Sequence, residues 1–322
     1  MNQYYARINR VIDYIEHNIA DEFTLEQLAG IACFSKYHFH RIFHSLMHET
    51  LFHFIYRLRL ERAASRLAFE INKSITDIAL ECGFTNPASF SKSFKEHFHE
   101  SPTVWRRKNS IILNQDNSNL SKSKSNTGKE TRSGLSYNRL NTKEMAAFVK
   151  QKLIGTNLIN HPETWVIYVR NVGPYKQDME LFRRLNRTLF TWAYARELVR
   201  FPDTKYLVIA HDDPEITEES KQRISVCLTV PPETETGGDI GKMNIPAGRY
   251  AHLEFSLVPM EIKQAWEWAY GIWLPDSGFV PDDRPSFELY HPDIREEGSL
   301  STIHMDICIP VKPLEGWHGI DD

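Results

Sequence analysis

Three groups of side chains in this 322-residue chain have types and spacings that suggest chemistry. Lys36, Tyr37, His40, Arg41 and His44 share the outward face of the stretch S-K-Y-H-F-H-R-I-F-H. Ala88, Ser89, Lys92 and Lys95 do the same in N-P-A-S-F-S-K-S-F-K. Small, polar and basic side chains opposite a buried aromatic stripe are what a helix lying in a DNA major groove requires. For any single position the plain alternative is a solvated helix face. The third group centres on Glu288, inside the apolar run S-F-E-L-Y. A carboxylate there costs several kcal/mol if it is buried and unpaired, so it needs a partner or a ligand. Otherwise the strand simply alternates and Glu288 faces water beside Tyr290. Both readings stay open at this stage. His40, His44 and His48 recur every four residues, but no cysteine or carboxylate completes a coordination set around them. No metal site, cofactor or catalytic residue is expected: the chain has no Ser-His-Asp set or phosphate loop, and it does not read as an enzyme.

The basic faces need helices to hold them. Ser74 can cap a short helix whose inward face is Ile75, Ile78, Ala79 and Cys82. Gly83 suits a tight turn, and Asn86-Pro87 starts a second helix with Phe90, Phe94 and Phe98 on its buried stripe. A second copy lies upstream. Thr24 and Gln27 form a candidate capping box, Leu25, Leu28, Ala29 and Ala32 face inward, and Ser35 caps the next helix. Phe39 and Phe43 match Phe90 and Phe94 at an offset of 51, whereas Ala29 matches Ala79 at 50. Leu51 to Phe69 contains neither Gly nor Pro and reads as one stiff helix between the two units. Ile8, Val11, Ile12, Ile15 and Ile19 form a further helical face beneath the first unit.

Two helix-turn-helix units joined by a long helix resemble the DNA-binding domain of the AraC/XylS transcription regulators. Gly83 to Arg106, G-F-T-N-P-A-S-F-S-K-S-F-K-E-H-F-H-E-S-P-T-V-W-R, is close to that family's signature. The resemblance implies that Tyr37, His40 and Arg41 read bases from the first unit, with Arg41 set for a guanine edge. It implies Asn86, Pro87, Ala88 and Lys92 as the matching positions of the second. Pro87 and Ala88 offer no hydrogen bonds, so phosphate and methyl contacts are expected there. It further implies double-stranded operator or promoter DNA and RNA polymerase as partners, and activation as the outcome.

The length suits two domains. Residues 1–110 are read as the all-α DNA-binding domain and 111–141, rich in Asn, Ser, Lys, Thr and Gly, as a flexible linker. Residues 142–322 are read as a second, α+β domain. Cys33, Cys82, Cys227 and Cys308 form no C-x-x-C pair and sit in apolar patterns, which points to reduced core thiols. With neither a signal-peptide core nor an apolar run near ~20 residues, a cytoplasmic, nucleoid-associated protein with no membrane partner is expected. Net charge is −4. The excess is slightly positive over residues 1–110, with 14 Lys and Arg against 12 Asp and Glu, and negative over 141–322. DNA binding is therefore read from motif geometry and not from electrostatics.

The C-terminal part runs strand, helix, strand, strand, and then repeats. Y-L-V-I-A-H-D-D-P parallels S-F-E-L-Y-H-P-D, aligning His211 with His291 and Val208 with Glu288. R-I-S-V-C-L-T-V-P parallels T-I-H-M-D-I-C-I-P-V. This is a duplicated unit with a mainly antiparallel sheet. G-P-Y at Gly173 to Tyr175, I-P-A-G-R-Y-A-H-L-E-F, W-L-P-D-S-G-F-V-P-D-D-R-P-S-F-E-L-Y-H-P-D and D-I-C-I-P-V are similar to GyrI-like effector-binding domains. That resemblance implies an aromatic pocket in which Glu288 meets a cationic, lipophilic small molecule. Tyr290, Trp266, Trp268, Trp273, Tyr250 and Tyr168 are the candidate walls, each with core packing as its plain alternative. The domain is thus expected to sense a ligand, as in multidrug sensing. A hydrolase of strained electrophiles using the pocket Glu, or a protein-interaction module, are the other readings. Without a recognisable dimerisation element the chain is expected to be a monomer.

Overall fold

The computed structural model describes residues 3–110, 142–176, 178–291 and 302–314. The stretch read as a linker, 111–141, lies outside the described residues. The first part is helical: α1 Gln3–His17, α2 Leu25–Ile31, α3 Lys36–Met47, α4 Leu51–Phe69, α5 Ile75–Glu81, α6 Pro87–Phe98 and α7 Pro102–Asn109. Ile8, Val11, Ile12 and Ile15 of α1 pack with Leu28, Ala29, Phe39 and Phe43 in one core. Ile78, Ala79, Phe84, Phe90 and Phe94 form a second. Both cores are completed by α4, through Leu51, Phe54, Ile55 and Leu58 in the first and Leu60, Ala63, Ala64 and Leu67 in the second. A helix apolar on several faces is a buried one, so α4 is more than a spacer.

The local signals act largely as expected. Thr24 accepts from the Gln27 amide at 3.1 Å, Ser74 from Asp77 at 3.0 Å, and Asn86 from Ala88 and Ser89 at 2.8 and 3.3 Å. Two details differ. The Gln27 side chain donates to the Tyr14 hydroxyl at 2.9 Å instead of closing a capping box, and Ser35 stands at its cap position without a side-chain hydrogen bond. Gly83 has φ +86, and a Cβ there would meet the Arg59 guanidinium at 2.8 Å and the Ile19 carbonyl at 2.9 Å. Conformation and space both require glycine. The corresponding residue of the first unit, Cys33, also has positive φ, 53.

The second part contains α8 Thr142–Lys152, β1 Leu153–His161, β2 Thr164–Val172, α9 Met179–Tyr194, β3 Tyr206–Ala210, β4 Arg223–Thr229, β5 Gly241–Ile245, β6 Gly248–Leu257, α10 Ile262–Trp268, β7 Phe279–Pro281, β8 Phe287–Tyr290 and β9 Ile303–Pro313. The strands lie in the order β1-β6-β9-β8-β3-β4-β2-β5, with β7 also on β9, and their pairings are antiparallel. The duplication is explicit in this order. The strands β3, β4 and β2 on one side mirror β8, β9 and β6 on the other. Where the halves meet, Val208 of β3 lies opposite Glu288 of β8. These are the two positions that the internal repeat equates, so the approximate two-fold axis passes between them. Strands β1 and β5 had no counterpart in the sequence reading. Each leads into one half but pairs with the other, β1 with β6 and β5 with β2, and so laces the halves together.

One face of the sheet carries the helices. Leu181, Leu185, Leu189 and Ala193 of α9 cover Ile167, Val169, Val208 and Val226. Ala265 and Trp268 of α10, with Met145 and Phe148 of α8, cover Leu253, Phe255, Met305 and Ile307. The chain continues from α10 through a π turn, Ala269–Trp273. Tyr168, Leu207, Cys227, Tyr250, Phe287 and Cys308 share a separate cluster on the opposite face.

The helical part docks directly on the sheet part. Asp13 of α1 accepts from the Tyr168 hydroxyl and from Arg170 at 2.8 Å, and Glu16 lies 2.8 Å from Arg223. The Arg170 and Arg223 side chains are each 1% exposed. At the far end of α4, Phe69 enters the α10 core and sits 5.7 Å from the Tyr270 ring. Arg62 pairs with Asp283 at 2.8 Å and Lys312 with Glu70 at 3.1 Å. No helix among the described residues is long and apolar enough to cross a membrane.

Candidate functional site

The residues expected to meet DNA all lie exposed on α3, on α6 or at the cap of α6. Lys36, Tyr37, His40, Arg41 and His44 project from α3, and Ala88, Ser89 and Lys92 from α6, while Phe39, Phe43, Phe90 and Phe94 anchor the other faces. Tyr37 is 83% exposed, an unusual setting for a large aromatic ring without a partner to cover it. Three of these residues already have partners. Lys36 is ion-paired with Glu26, Lys92 lies 3.9 Å from Glu96, and the Asn86 side-chain oxygen is committed to its cap. Asn86 therefore has only its amide nitrogen to offer a base or phosphate. His48 ends α3 in a left-handed conformation, φ 55, so the i, i+4, i+8 histidine row breaks at its last member.

The second site forms around Glu288 on the helix-bearing face, at the junction of the two halves. Trp266 of α10 donates its indole N–H to Glu288 Oε1 at 2.8 Å, and the Tyr290 hydroxyl donates to Oε2 at 2.6 Å. Trp266 stacks on Tyr270 at 5.9 Å, and Tyr290 lies 5.3 Å from Tyr206, which stacks on Phe190. Burial pushes the Glu288 carboxyl above its ordinary value, partly opposed by the Tyr290 and Trp266 hydrogen bonds. Burial, with the Glu288 charge adding to it, pushes the Tyr175 hydroxyl up to about 12. Among the described residues no Lys, Arg or His forms an ion pair with Glu288. The site is thus a carboxylate set among aromatic rings and met, among the described residues, by neutral donors.

Of the six expected aromatic walls, Tyr290 and Trp266 touch Glu288 directly. Trp273 is half-buried against the α10 core. The other three are placed elsewhere. Trp268 is buried edge-on to Phe255 at 5.8 Å. Tyr168 and Tyr250 are fully buried on the opposite face, because their strand positions alternate away from the helices. There Tyr168 meets Asp13, and Tyr250 lies beneath the Arg284 guanidinium at 4.7 Å. The sequence reading missed Tyr270, Tyr206 and Tyr175. Tyr270 was accessible as the i+4 neighbour of Trp266, and Tyr175 belongs to the G-P-Y motif. Tyr206 required the β3–β8 pairing. His211 is buried against Arg170 and Ser225, and His291 lies beside Asp306 at 2.8 Å.

Comparison with known proteins identifies the two domains. Residues 28–108 match a helix-turn-helix domain model and residues 156–312 a GyrI-like small molecule binding domain model. The chain is 33% identical over 100 residues to the HTH-type transcriptional regulator SACOL0084 of Staphylococcus aureus (strain COL), covering 31% of this chain and 13% of that protein. It is 32% identical over 104 residues to the HTH-type transcriptional regulator YbfP of Bacillus subtilis (strain 168), covering 32% and 35%. It is 34% identical over 100 residues to the bifunctional transcriptional activator/DNA repair enzyme AdaA of the same organism, covering 31% and 47%. The chain thus spans less than half the length of each of these relatives. Among solved structures, a transcriptional regulator with an AraC-type DNA-binding domain from Chromobacterium violaceum is similar over 32% of this chain and 92% of that one, with 26% identity and a TM-score of 0.31. EcmrR in a DNA complex is similar over 81% and 82%, with 16% identity and a TM-score of 0.44. This chain joins an AraC-type helix-turn-helix domain to a C-terminal GyrI-like small molecule binding domain.

Proposed function

We propose that the protein is a sequence-specific DNA-binding transcription regulator, acting as an activator, whose C-terminal domain senses a small cationic lipophilic molecule. Residues 1–110 hold operator DNA through the exposed faces of α3 and α6, with Arg41 the principal base reader and Lys36 and Lys92 on phosphates. Residues 142–322 hold the ligand, 111–141 tether the two, and RNA polymerase is the further partner, in the cytoplasm. The observation that carries the sensing half is the Glu288 carboxylate, set among Trp266, Tyr270, Tyr206 and Tyr290 and, among the described residues, hydrogen-bonded by neutral donors. A cation entering there gains Coulomb attraction in a poorly solvated site and cation–π attraction from the rings, roughly 0.5–2 kcal/mol each.

The same contacts suggest how occupancy reaches DNA. Trp266 touches Glu288 and stacks on Tyr270, and Tyr270 meets Phe69 at the end of α4. Since α4 completes both helix-turn-helix cores, a ligand that moves Trp266 acts on the element that sets the spacing of α3 and α6. The test is titration of the full chain with tetraphenylphosphonium, followed by tryptophan fluorescence, with operator affinity measured at saturation. Saturable quenching that changes operator affinity in the wild type, and quenching without that change in Phe69→Ala, is the expected outcome. Turnover of an added strained electrophile that depends on Glu288 would instead favour the hydrolase reading, in which the raised Glu288 acts as general base.

A further inference from the structure

On the other face of the sheet, β6, β9 and β8 bring together a set of groups that neither proposed function uses. His252 of β6 and Cys308 of β9 are directly opposite one another, and Asp306 lies two residues along β9. The His252 Nδ1 is 3.0 Å from Asp306 Oδ2 and 3.5 Å from Cys308 Sγ. One ligand atom from each of the three residues fits within 4.8 Å of the others, and all three residues are buried. The Nε2 of His291, just past β8, lies 2.8 Å from Asp306 Oδ1. We propose that His252, Asp306 and Cys308 form a binding site for one zinc-class divalent metal ion, with His291 holding the outer oxygen of Asp306.

Three observations carry this. The first is spacing. Metal bonds of about 2.1 Å to nitrogen and 2.3 Å to sulfur at a tetrahedral angle put the two donors about 3.6 Å apart, and Sγ and Nδ1 are 3.5 Å apart as they stand. The second is charge. Asp306 is 7% exposed, and its ion-pair partners among the described residues are His252 and His291, with no Arg or Lys. A buried carboxylate met only by imidazoles calls for protons on those rings or a metal between them. The third is the internal repeat. The positions equivalent to His252, Asp306 and Cys308 in the first half are Tyr168, Ser225 and Cys227. There the sheet receives its charge partner from outside, as Asp13 of α1 reaches Tyr168 and Arg170. In the second half the neutral Tyr and Ser are replaced by a histidine and an aspartate, which converts the face from one that receives an anionic side chain into one suited to a cation.

The donor set of an imidazole, a carboxylate and a thiolate, with a fourth position left to water, favours zinc among divalent ions, with cobalt as its spectroscopic substitute. Binding requires Cys308 to release its thiol proton to solvent. Affinity therefore rises with pH. The ion would pin β6 to β9, and the Asp306–His291 contact ties β9 to the end of β8, the strand that carries Glu288.

The test uses the full chain, stripped with a chelator and titrated with Co2+ and then Zn2+. One Co2+ per chain is expected, with thiolate-to-cobalt charge-transfer absorption and the intense ligand-field bands of a tetrahedral centre. Cys308→Ser should abolish the charge-transfer band, and His252→Gln should weaken binding at least tenfold. His304→Gln, an exposed position on β9, should change nothing. Asp306→Asn serves as the reporter if His252→Gln does not fold. Zinc should raise the thermal midpoint of the wild type but not that of Cys308→Ser. An octahedral cobalt spectrum, a signal that survives Cys308→Ser, or binding lost only in exposed histidine variants would overturn the site and leave the cluster as a buried hydrogen-bonded network.

Discussion

Replacing Glu288 by Gln should move ligand affinity and stability in opposite directions. The two carboxylate oxygens each accept one hydrogen bond, from Trp266 and from Tyr290. Gln keeps both contacts: its oxygen accepts from the indole, and its amide donates to the Tyr290 hydroxyl, which can reverse its role. What disappears is the charge. For a cation about 4 Å away at an effective dielectric near 20, attraction is at most about 4 kcal/mol. A loss of 2–4 kcal/mol then corresponds to roughly thirtyfold to a thousandfold weaker binding. The free protein gains instead, because burial raises the Glu288 carboxyl. A carboxyl raised in the folded state contributes fully below its unfolded value, and that contribution is lost as pH rises through the folded value. The Gln variant should thus match the wild type in acid and exceed it at neutral pH, each 1 kcal/mol appearing as roughly 2–4 °C in the midpoint. Calorimetry of the free protein at both pH values, beside fluorescence titration with tetraphenylphosphonium, measures both effects. A variant that melts lower at neutral pH and still binds the cation would refute the assignment.

Three other perturbations have defined outcomes. Arg41→Ala should weaken operator binding about tenfold to a hundredfold in a gel-shift titration, with the thermal midpoint essentially unchanged, because Arg41 is exposed on α3. Asp13→Asn should cost about 3–5 kcal/mol in denaturant unfolding, since it leaves the buried Arg170 without its ion partner, whereas Asp13→Leu with Arg170→Met and Tyr168→Phe, which removes the hydroxyl that donates to Asp13, should recover most of that loss. Strict additivity of the single changes would argue against a buried pair. Burial pushes the Glu61 carboxyl up to about 7, with Arg57 opposing. The stability it contributes is present in acid and lost as pH rises from the ordinary carboxyl range through about 7. Glu61→Gln should therefore flatten the stability–pH curve in that window, by on the order of 3 kcal/mol at full titration.

The helical half was legible because its signals are local. Caps at Thr24, Ser74 and Asn86, a glycine at 83 and phenylalanines every four residues determine their elements within a turn or two of chain. The expected helix Leu51 to Phe69 matches α4 at both ends. What the sequence could not reveal was its third face, since Arg62 pairs with Asp283 and Phe69 meets Tyr270, residues far along the chain. The sheet half was legible as a repeat, yet β1 escaped because its run of exposed positions, Asn157 to Asn160, breaks the alternation of an edge strand, and β5 because it is only five residues long with Lys242 and Asn244 between its buried positions. The candidate walls divided for the same reason. Aromatic content marks a region, but only strand parity decides which face a ring takes, and parity sent Tyr168 and Tyr250 away from Glu288.

Parity also explains how one duplicated unit can serve two tasks. Along β8, Glu288 and Tyr290 face the helices, and Phe287 and Leu289 face the other side with Cys308. On the helix-bearing face, at the approximate two-fold axis, only one of two equivalent positions, Glu288 and not Val208, is charged. A second carboxylate at 208 would sit directly across from the first and repel it in a poorly solvated site. The asymmetry thus leaves one carboxylate at the axis with no like charge across from it. The opposite face breaks the symmetry differently, with arginines in the first half that receive Asp13 and Glu16 of α1. Docking fixes α1 on that half and brings Phe69 of α4 to Tyr270 on the other. The helical part therefore spans both halves of the duplicated domain, so a change in how the halves meet at Val208 and Glu288 must strain either the arginine contacts or the Phe69 contact. That geometrical conflict gives ligand at the axis a physical means of acting on the helices that carry Arg41 and Lys92.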